Sequence, residues 1–270
     1  MSAGRIQSAS ENGGRFRRIS IRVIAILAAL VIWQLLPTLG IISKIILPSP
    51  LQVVSAGLDS AGTYGSAFVT TVSEIVLAFV MAAIVGVLFG LFFGLIPLIN
   101  SAMSNLMEIG LSVPWIIIYP LLVAWFGLGL SSKIGYAFLV ATIPIALNAT
   151  AAIRSIDPNY VRLCRSLGAS RRDTVLKVLA PAALPSLISG LRIGFALSVV
   201  SVLAAELLVS NAGLGYIITT NQTEFNTGHV YMAIVLTLFI AWLSTRFMKW
   251  LELRLSPHKR QVEVNTLEIY

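Results

Sequence analysis

The sequence predicts an all-α polytopic membrane protein with about six transmembrane helices and a helical loop on the cytoplasmic side. The 270 residues are 57% hydrophobic and only 11% charged, whereas a soluble domain carries about 25% charged residues. The mean hydropathy is +0.90. Long apolar runs alternate with short segments rich in Lys and Arg. Together these features indicate a chain that crosses a bilayer repeatedly.

Six stretches are long enough to cross a hydrocarbon core, which takes about 20 mostly apolar residues. Each should be a helix, because unpaired backbone groups are too costly in lipid. The first stretch is long and lacks a clear small-x-small cleavage site, so we expect it to remain as an anchor. The predicted spans are 20–41, 68–96, 106–127, 133–152, 186–209 and 230–250.

The positions of Lys and Arg predict the orientation of the chain. A cytoplasmic N-terminus places sixteen of the 19 basic residues inside, as the positive-inside rule requires. The three others are Lys44, Lys133 and Arg192. The predicted organisation is therefore a basic cytoplasmic tail at 1–19, a transmembrane domain at 20–250 and a cytoplasmic tail at 251–270. With this orientation the net charge of +8 reflects topology and does not predict nucleic-acid binding.

Residues 155–181 form the charged loop, which this orientation places in the cytoplasm. Asp157 and Pro158 are suited to the N-cap and first turn of a helix. Gly168 is placed to end this helix, because glycine accepts a left-handed backbone at no steric cost. The single cysteine of the chain, Cys164, falls on the apolar face of the helix, and one cysteine excludes an internal disulfide.

A second short helix is expected after Gly168. Ser170 and Asp173 match a capping pattern, with Asp in place of the usual Glu. Pro181 and Pro185 are expected to break or kink the chain before the next span. The charged loop is thus predicted to contain two amphipathic helices joined by a sharp corner. Such a loop either lies on the lipid headgroups or presents a docking surface.

Small residues recur every fourth position in two spans. Gly86, Gly90 and Gly94 do so in the second, and Gly190, Gly194 and Ser198 in the fifth. This spacing permits close helix contact, either within one chain or between two copies. Three prolines, Pro114, Pro120 and Pro144, predict kinks within the third and fourth spans. Outside the spans, Ser49 and Pro50 predict the start of a short interfacial helix.

Ionisable residues inside predicted spans are functional candidates, because charge is costly in lipid. Glu108 and Arg192 have opposite charge and are expected at a similar depth, so they form either an ion pair or two side chains that snorkel to the interface. Glu74 and Glu206 are expected near the outer ends of their spans. Glu206 either lines the path or gate, or accepts hydrogen bonds from nearby backbone.

No phosphate-binding G-x-x-x-x-G-K-[ST] loop occurs in the sequence, so ATP hydrolysis is not expected of this chain. No catalytic residue, no metal ligand set and no bound cofactor are predicted. An intramembrane enzyme is disfavoured by the lack of a Ser/His or paired-carboxylate set. A secondary transporter driven by an ion gradient remains the alternative function, although no internal repeat is evident.

The charged loop resembles the cytoplasmic coupling loop of ABC importer permeases, with Gly168 and Pro181 at two of its characteristic positions. The Glu-Ala-Ala triplet of that family is replaced by Arg162, Leu163 and Cys164. Further motifs in the same order are similar to permeases of the nitrate, sulfonate and taurine type: LPSP (47–50), WFGLG (125–129), PAALP (181–185), GLR (190–192), Glu206 and GLGYI (213–217).

The resemblance implies a permease subunit of the bacterial cytoplasmic (inner) membrane, with both termini in the cytoplasm. Its expected partners are ABC ATPase subunits, a second permease copy, an extracytoplasmic solute-binding protein and membrane lipid, and no nucleic acid. The cargo implied is a small solute such as nitrate, a sulfonate or taurine. The residues implied in ATPase docking are Arg165, Leu167, Gly168, Ala169, Ser170, Arg171, Arg172, Val175 and Pro181.

The candidates for the translocation path or gate are Glu74, Trp125, Glu206, Gly213 and Gly215. Glu74 departs from related permeases, which tend to carry Arg in this stretch. If Glu74 faces the path, its charge disfavours an anionic cargo.

Overall fold

The computed structural model describes the backbone of residues 3–255 and the side chains of residues 20–255, except 95, 97–104, 158, 171, 176 and 255. The predicted tail beyond residue 255, with Lys259 and Arg260, therefore lies outside the described residues. The same holds for the side chains of Arg5, Arg15, Arg17, Arg18 and Arg171.

The described chain is almost entirely helical and contains no strand. Short 3₁₀ and π segments occupy Trp115–Ile118 and Val175–Leu179. The α-helices are α1 (Ala3–Thr38), α2 (Pro50–Asp59), α3 (Ala61–Leu95), α4 (Pro97–Ser112), α5 (Tyr119–Phe126), α6 (Leu130–Arg154), α7 (Pro158–Ser166), α8 (Arg171–Thr174), α9 (Ala180–Leu208), α10 (Leu214–Thr223) and α11 (Thr227–Leu255).

The transmembrane pattern matches the predicted spans. Within residues 3–255, five helical stretches are long and apolar enough to cross a membrane, and a bent pair gives a sixth. The all-α polytopic fold is therefore confirmed. The five are Ser20–Thr38, Ala61–Gly94, Leu130–Arg154, Arg172–Leu208 and Thr227–Arg254, and the pair is Asn105–Ser112 with Trp115–Phe126.

The third predicted span is broken, and the two halves of the bent pair differ in direction by 79°. Val113 leaves the helix with φ −74° and ψ 129°, because a residue that precedes proline is driven out of the helical region. Pro120 stands at the start of α5, where the missing N–H costs nothing. Pro144, in contrast, lies inside the uninterrupted helix α6.

The charged loop has the two predicted helices, and the predicted break or kink at Pro181 and Pro185 does not take the form of a break. Helix α9 begins at Ala180 and contains both prolines. The disturbance takes the form of the π segment immediately before it, where the Ala180 N–H donates to the Val175 carbonyl. A π turn absorbs an irregularity without ending the helix, so the helical chain continues from Arg171 to Leu208.

Helix α6 packs tightly against both α3 and α9 through the predicted small residues. A Cβ on Gly86 would lie 2.9 Å from the Ile145 Cβ, and one on Gly190 would lie 2.5 Å from the Asn148 Cβ. The Thr150 hydroxyl also donates to the Gly90 carbonyl at 3.0 Å. Both glycine repeats therefore serve close packing within one chain, the first of the two predicted uses.

The described residues divide into two compact units, one made of the residues up to Gly62 with Ile218–Ala233, and one made of Thr63–Ile217 with the residues from Ile234 onward. In the first unit, the Trp33 indole donates to the Pro48 carbonyl at 3.0 Å and its ring lies against Tyr231. Helix α2 begins with the predicted cap, in which Ser49 and Gln52 form a reciprocal capping box. The second unit contains the α3–α6–α9 packing and the charged loop.

We predict that Gly90→Ala destabilises the fold. The added methyl group would meet the Ala146 carbonyl oxygen, a backbone atom that cannot move aside, and would lie 2.5 Å from the Ala149 Cβ. Overpacking of this kind costs about 1–3 kcal/mol. The thermal unfolding temperature of the purified chain in detergent should therefore fall by several degrees.

Gly65→Ala is the matched control on the same helix, because no heavy atom lies within 4 Å of its added Cβ. It should leave the unfolding temperature unchanged or slightly raised. Equal effects of the two substitutions would contradict the packing described for α6.

Candidate functional site

Three charged side chains meet inside the second unit, one each from α3, α6 and α9. Glu74, Lys133 and Glu206 are each 1% exposed. With Thr71, one helical turn before Glu74, they make up the buried charge cluster. Since burial of an unpaired charge is strongly unfavourable, the contacts within this cluster decide whether the fold tolerates it.

The Lys133 ammonium neutralises one of the two carboxylates. Its Nζ lies 2.5 Å from Glu74 Oε1 and also donates to the Ala212 carbonyl at 3.1 Å. The contact with Glu74 falls outside hydrogen-bond geometry, so charge attraction holds the pair together. Glu74 Oε2 has no hydrogen-bond partner among the described residues. Lys133 therefore links a carboxylate of α3 to the segment that follows α9.

Glu206 organises the same segment through hydrogen bonds. Its Oε1 accepts from the Thr71 hydroxyl at 2.7 Å, and its Oε2 accepts from the Gly215 N–H at 2.8 Å. The Thr71 oxygen accepts in turn from the Leu214 N–H at 3.0 Å. Two backbone N–H groups at the start of α10 thereby donate to buried side chains. The first N–H groups of a helix need such acceptors where no water can reach them.

Glycine is required next to Glu206 at two positions. Gly213 has φ +105°, and a Cβ there would collide with the Glu206 carboxylate. A Cβ on Gly215 would lie 2.5 Å from the Glu206 Cβ and 2.9 Å from the Leu207 nitrogen. The GLG sequence thus lets the backbone approach the carboxylate closely.

Four of the five predicted path or gate residues come together in this cluster: Glu74, Glu206, Gly213 and Gly215. Trp125 does not join them, since it lies near the end of α5 with 67% of its surface exposed. The Glu74 carboxylate is buried against Lys133, and whether it faces the path stays a prediction.

The sequence reasoning missed three members of the arrangement. Lys133 was counted only as a basic residue outside the membrane, and Thr71 was not considered. Tyr119 is also buried, and its hydroxyl donates to the Val209 carbonyl at 2.7 Å. A lysine that immediately precedes an apolar span, with a glutamate inside another span, was the available signal for the ion pair.

Of the two alternatives predicted for Glu108 and Arg192, the ion pair is not formed in the structure. The Arg192 guanidinium instead lies 3.6 Å from Glu252 Oε2 on α11, and the Glu108 side chain is exposed. The chain changes direction at the break near Pro114, after α4. The depth expected for Glu108 along a straight third span therefore does not predict which side chains lie near it.

The charged loop forms its predicted caps and corner. Asp157 accepts from the Asn159 N–H at 2.8 Å, and Gly168 turns the chain with φ +74°. The Ser170 hydroxyl accepts from the Asp173 N–H at 3.1 Å and donates to the Asp173 carboxylate at 2.6 Å. The Asp side chain thus reaches the hydroxyl of Ser170 rather than its backbone N–H.

The corner of the charged loop presents apolar and basic side chains together. Leu163 is 57% exposed and Leu167 is 76% exposed. Arg165, Ser170, Arg172 and Pro181 are exposed as well, and Ala169 is half-buried. Val175, 49% exposed, continues the apolar surface past the corner. Exposed apolar groups with basic neighbours are typical of a surface that another protein covers.

We predict that Lys133→Met destabilises the chain strongly, because it leaves the Glu74 carboxylate buried without a counter-charge. Breaking such a pair costs about 3–5 kcal/mol. The double variant Glu74→Leu/Lys133→Met should recover most of the loss, since it removes Glu74 together with its counter-charge and leaves Glu206 its hydrogen bonds to Thr71 and Gly215. Thermal unfolding in detergent measures both.

The Asp173–Lys177 pair on the charged loop is the matched control. It joins residues four apart at 2.7 Å, and both side chains are well exposed. Lys177→Met should leave the unfolding temperature unchanged. No recovery in the Glu74→Leu/Lys133→Met double variant would show that the two buried groups do not stabilise each other.

Comparison with known proteins identifies the family. The model of the family "Binding-protein-dependent transport system inner membrane component" matches residues 86–257. The taurine transport system permease protein TauC of Escherichia coli (strain K12) is 32% identical over 254 residues, which cover 92% of each chain. The putative aliphatic sulfonates transport permease protein SsuC of the same organism is 33% identical over 231 residues, 84% of this chain and 88% of that one.

A solved structure supports the fold. An inward-facing structure of the MetNI methionine ABC transporter superposes with a TM-score of 0.59 and 21% identity, over 69% of this chain and 93% of the other. The region matched by the family model includes α6, α9 and the charged loop, but not Thr71 and Glu74 of the buried charge cluster. This chain belongs to the binding-protein-dependent transport system inner membrane components, and it is a permease subunit of an ABC importer.

Proposed function

We propose that the charged loop is the surface through which this permease takes up mechanical work from its ATPase subunits. The observation that carries the proposal is the rigid corner at Gly168 between two capped helices, where Leu163, Leu167 and Val175 are exposed among arginines. Closure of the ATPases on ATP would push on this corner. The continuous helix from Arg171 to Leu208 would carry the displacement into the transmembrane core.

The replaced triplet leaves a basic surface in the first half of the loop. Arg162 and Leu163 are exposed, and Cys164 is half-buried. A docking groove for this loop should therefore offer acidic groups to Arg162 and Arg165 and apolar groups to Leu167. The second half of the loop, from Gly168 to Pro181, has the family's usual residues. It should therefore dock on the ATPase subunit as the same segment does in other permeases of the family.

Two copies of this chain, both with cytoplasmic termini, are proposed to enclose the path. ATP is proposed to be hydrolysed only by the separate subunits, and no cofactor is proposed for this chain. An extracytoplasmic binding protein would deliver a small solute of the sulfonate class. The relatives named above as taurine and sulfonate permeases support this class of cargo. The charge of Glu74 does not disfavour an anionic cargo, because Lys133 neutralises it.

We predict that Leu167→Asp reduces co-purification of the ATPase subunits at least about tenfold, because burial of one leucine contributes about 1.5–3 kcal/mol. Pull-down of the tagged chain from membranes in which all subunits are co-expressed measures the loss. Leu58→Asp on α2 is the matched control, since Leu58 is 74% exposed and Leu167 is 76% exposed. Retention of the ATPase by Leu167→Asp would refute the docking surface and favour a secondary transporter.

We predict opposite labelling of two introduced cysteines in a Cys164→Ser background. Ser166→Cys in α7 should react with a membrane-impermeant maleimide only after the cells are opened. Ser55→Cys in α2 should react in intact cells whose outer membrane has been made permeable. Both positions are exposed, so a reversed pattern would place the charged loop on the wrong side for ATPase docking.

The cargo is tested with the assembled transporter in liposomes. Uptake of labelled taurine that depends on ATP and on the binding protein, and that alkyl sulfonates inhibit, is the expected result. Nitrate should inhibit weakly. Uptake that is driven by an ion gradient without ATP would favour the alternative function.

A further inference from the structure

A groove runs between α9 and α11 inside the second unit. It encloses about 280 Å³ and is half open to its surroundings. Its deep walls are almost fully buried, with Phe195 and Val199 from α9 and Met248 from α11. The polar atoms of its lining come from Arg192, Ser244 and Thr245. The groove is therefore apolar along its length, with a guanidinium at one end.

The position of Arg192 along α9 sets the depth of this charged end. Arg192 precedes Leu208, the last residue of α9, by sixteen residues, or about 24 Å at 1.5 Å per residue. A hydrocarbon core is about 30 Å thick, so Arg192 lies close to a boundary between hydrocarbon and headgroups. Trp242 and Trp250, which are exposed on α11, fit the aromatic belt of such a boundary.

Positive charge dominates around this end of the groove. Arg192 is 61% exposed, and its contact with Glu252 is long at 3.6 Å, beyond the range of a strong hydrogen bond. Lys249 follows Thr245 by one helical turn and is exposed. Arg246 and Arg254 lie over the rings of Trp242 and Trp250, at 5.7 Å and 4.6 Å from the ring centroids. The guanidinium of Arg192 retains donors that an anion can use.

We propose that this groove binds an anionic phospholipid, with the phosphate at Arg192 and one acyl chain along the apolar walls. The charges around the groove indicate which molecule it binds. A zwitterionic lipid gains less from Arg192 and Lys249 together, and an apolar helix of a second copy would leave Arg192 with only its long contact to Glu252. The bound lipid would become part of the α9–α11 contact, where Arg192 and Glu252 form only a long ion pair.

The test uses the full-length chain in detergent, with phosphatidylglycerol or phosphatidylcholine of identical acyl chains added, and counts retained lipids by native mass spectrometry. Wild type should retain phosphatidylglycerol about tenfold better, because both lipids offer a phosphate to Arg192 but the choline cation of phosphatidylcholine is repelled by the basic groups around it. Arg192→Gln should abolish this preference. Ala196→Trp, which fills the groove, should remove both lipids.

Arg22→Gln is the matched control, because Arg22 is an exposed arginine of α1 outside the groove. It should retain the preference for phosphatidylglycerol. Equal retention of the two lipids by wild type, or an unchanged preference in Arg192→Gln, would overturn the proposal. So would displacement of the lipid by soluble glycerol phosphate, which would mark a phosphate site without an acyl chain. If Ala196→Trp instead dissociates a dimer, a second copy occupies the groove and the proposal is likewise wrong.

Discussion

The fold depends on the close approach of α6 to α3 and α9. Lipid offers apolar side chains the same surroundings as a protein interior, so the hydrophobic effect does not bring helices together within the bilayer. Dispersion and backbone contact must do so, and both require small residues where the helices touch. Gly86 of α3 and Gly190 of α9 supply that space against α6, at Ile145 and Asn148. The same three helices then contribute the three charges of the buried charge cluster.

The buried charge cluster and the charged loop illustrate two different uses of charge in an apolar chain. In the cluster, Glu74, Lys133 and Glu206 are removed from solvent, Lys133 pairs with Glu74 and donates to the Ala212 carbonyl, and Glu206 accepts from Thr71 and Gly215. This fixes the segment after α9 relative to α3 and α6. In the loop, the charges stay exposed around an apolar corner at Leu167, where a partner protein can cover them. Helix α9 connects the two sites.

Three prolines affect the helices in three different ways, and the residues next to each proline do not predict which. Pro114 breaks its span, Pro144 lies within an unbroken helix, and Pro181 follows a π segment without ending the helix. In every case the missing N–H leaves a carbonyl without its usual partner. Whether the chain then bends depends on the packing around it. Helix α6 is held on two sides by α3 and α9, whereas the end of α4 near Pro114 is largely exposed.

The sequence by itself determined the class of fold, the number of spans, the caps and corner of the charged loop and the glycine repeats, because each follows from hydropathy or from the chemistry of a few neighbouring residues. Only the tertiary structure decided which charges meet. Lys133 pairs with Glu74, fifty-nine positions earlier, and Arg192 lies near Glu252 rather than Glu108. Such pairings depend on the rotation of each helix about its axis and on the bend at Pro114. Both are set by packing across helices, and the order of residues along one helix does not encode them.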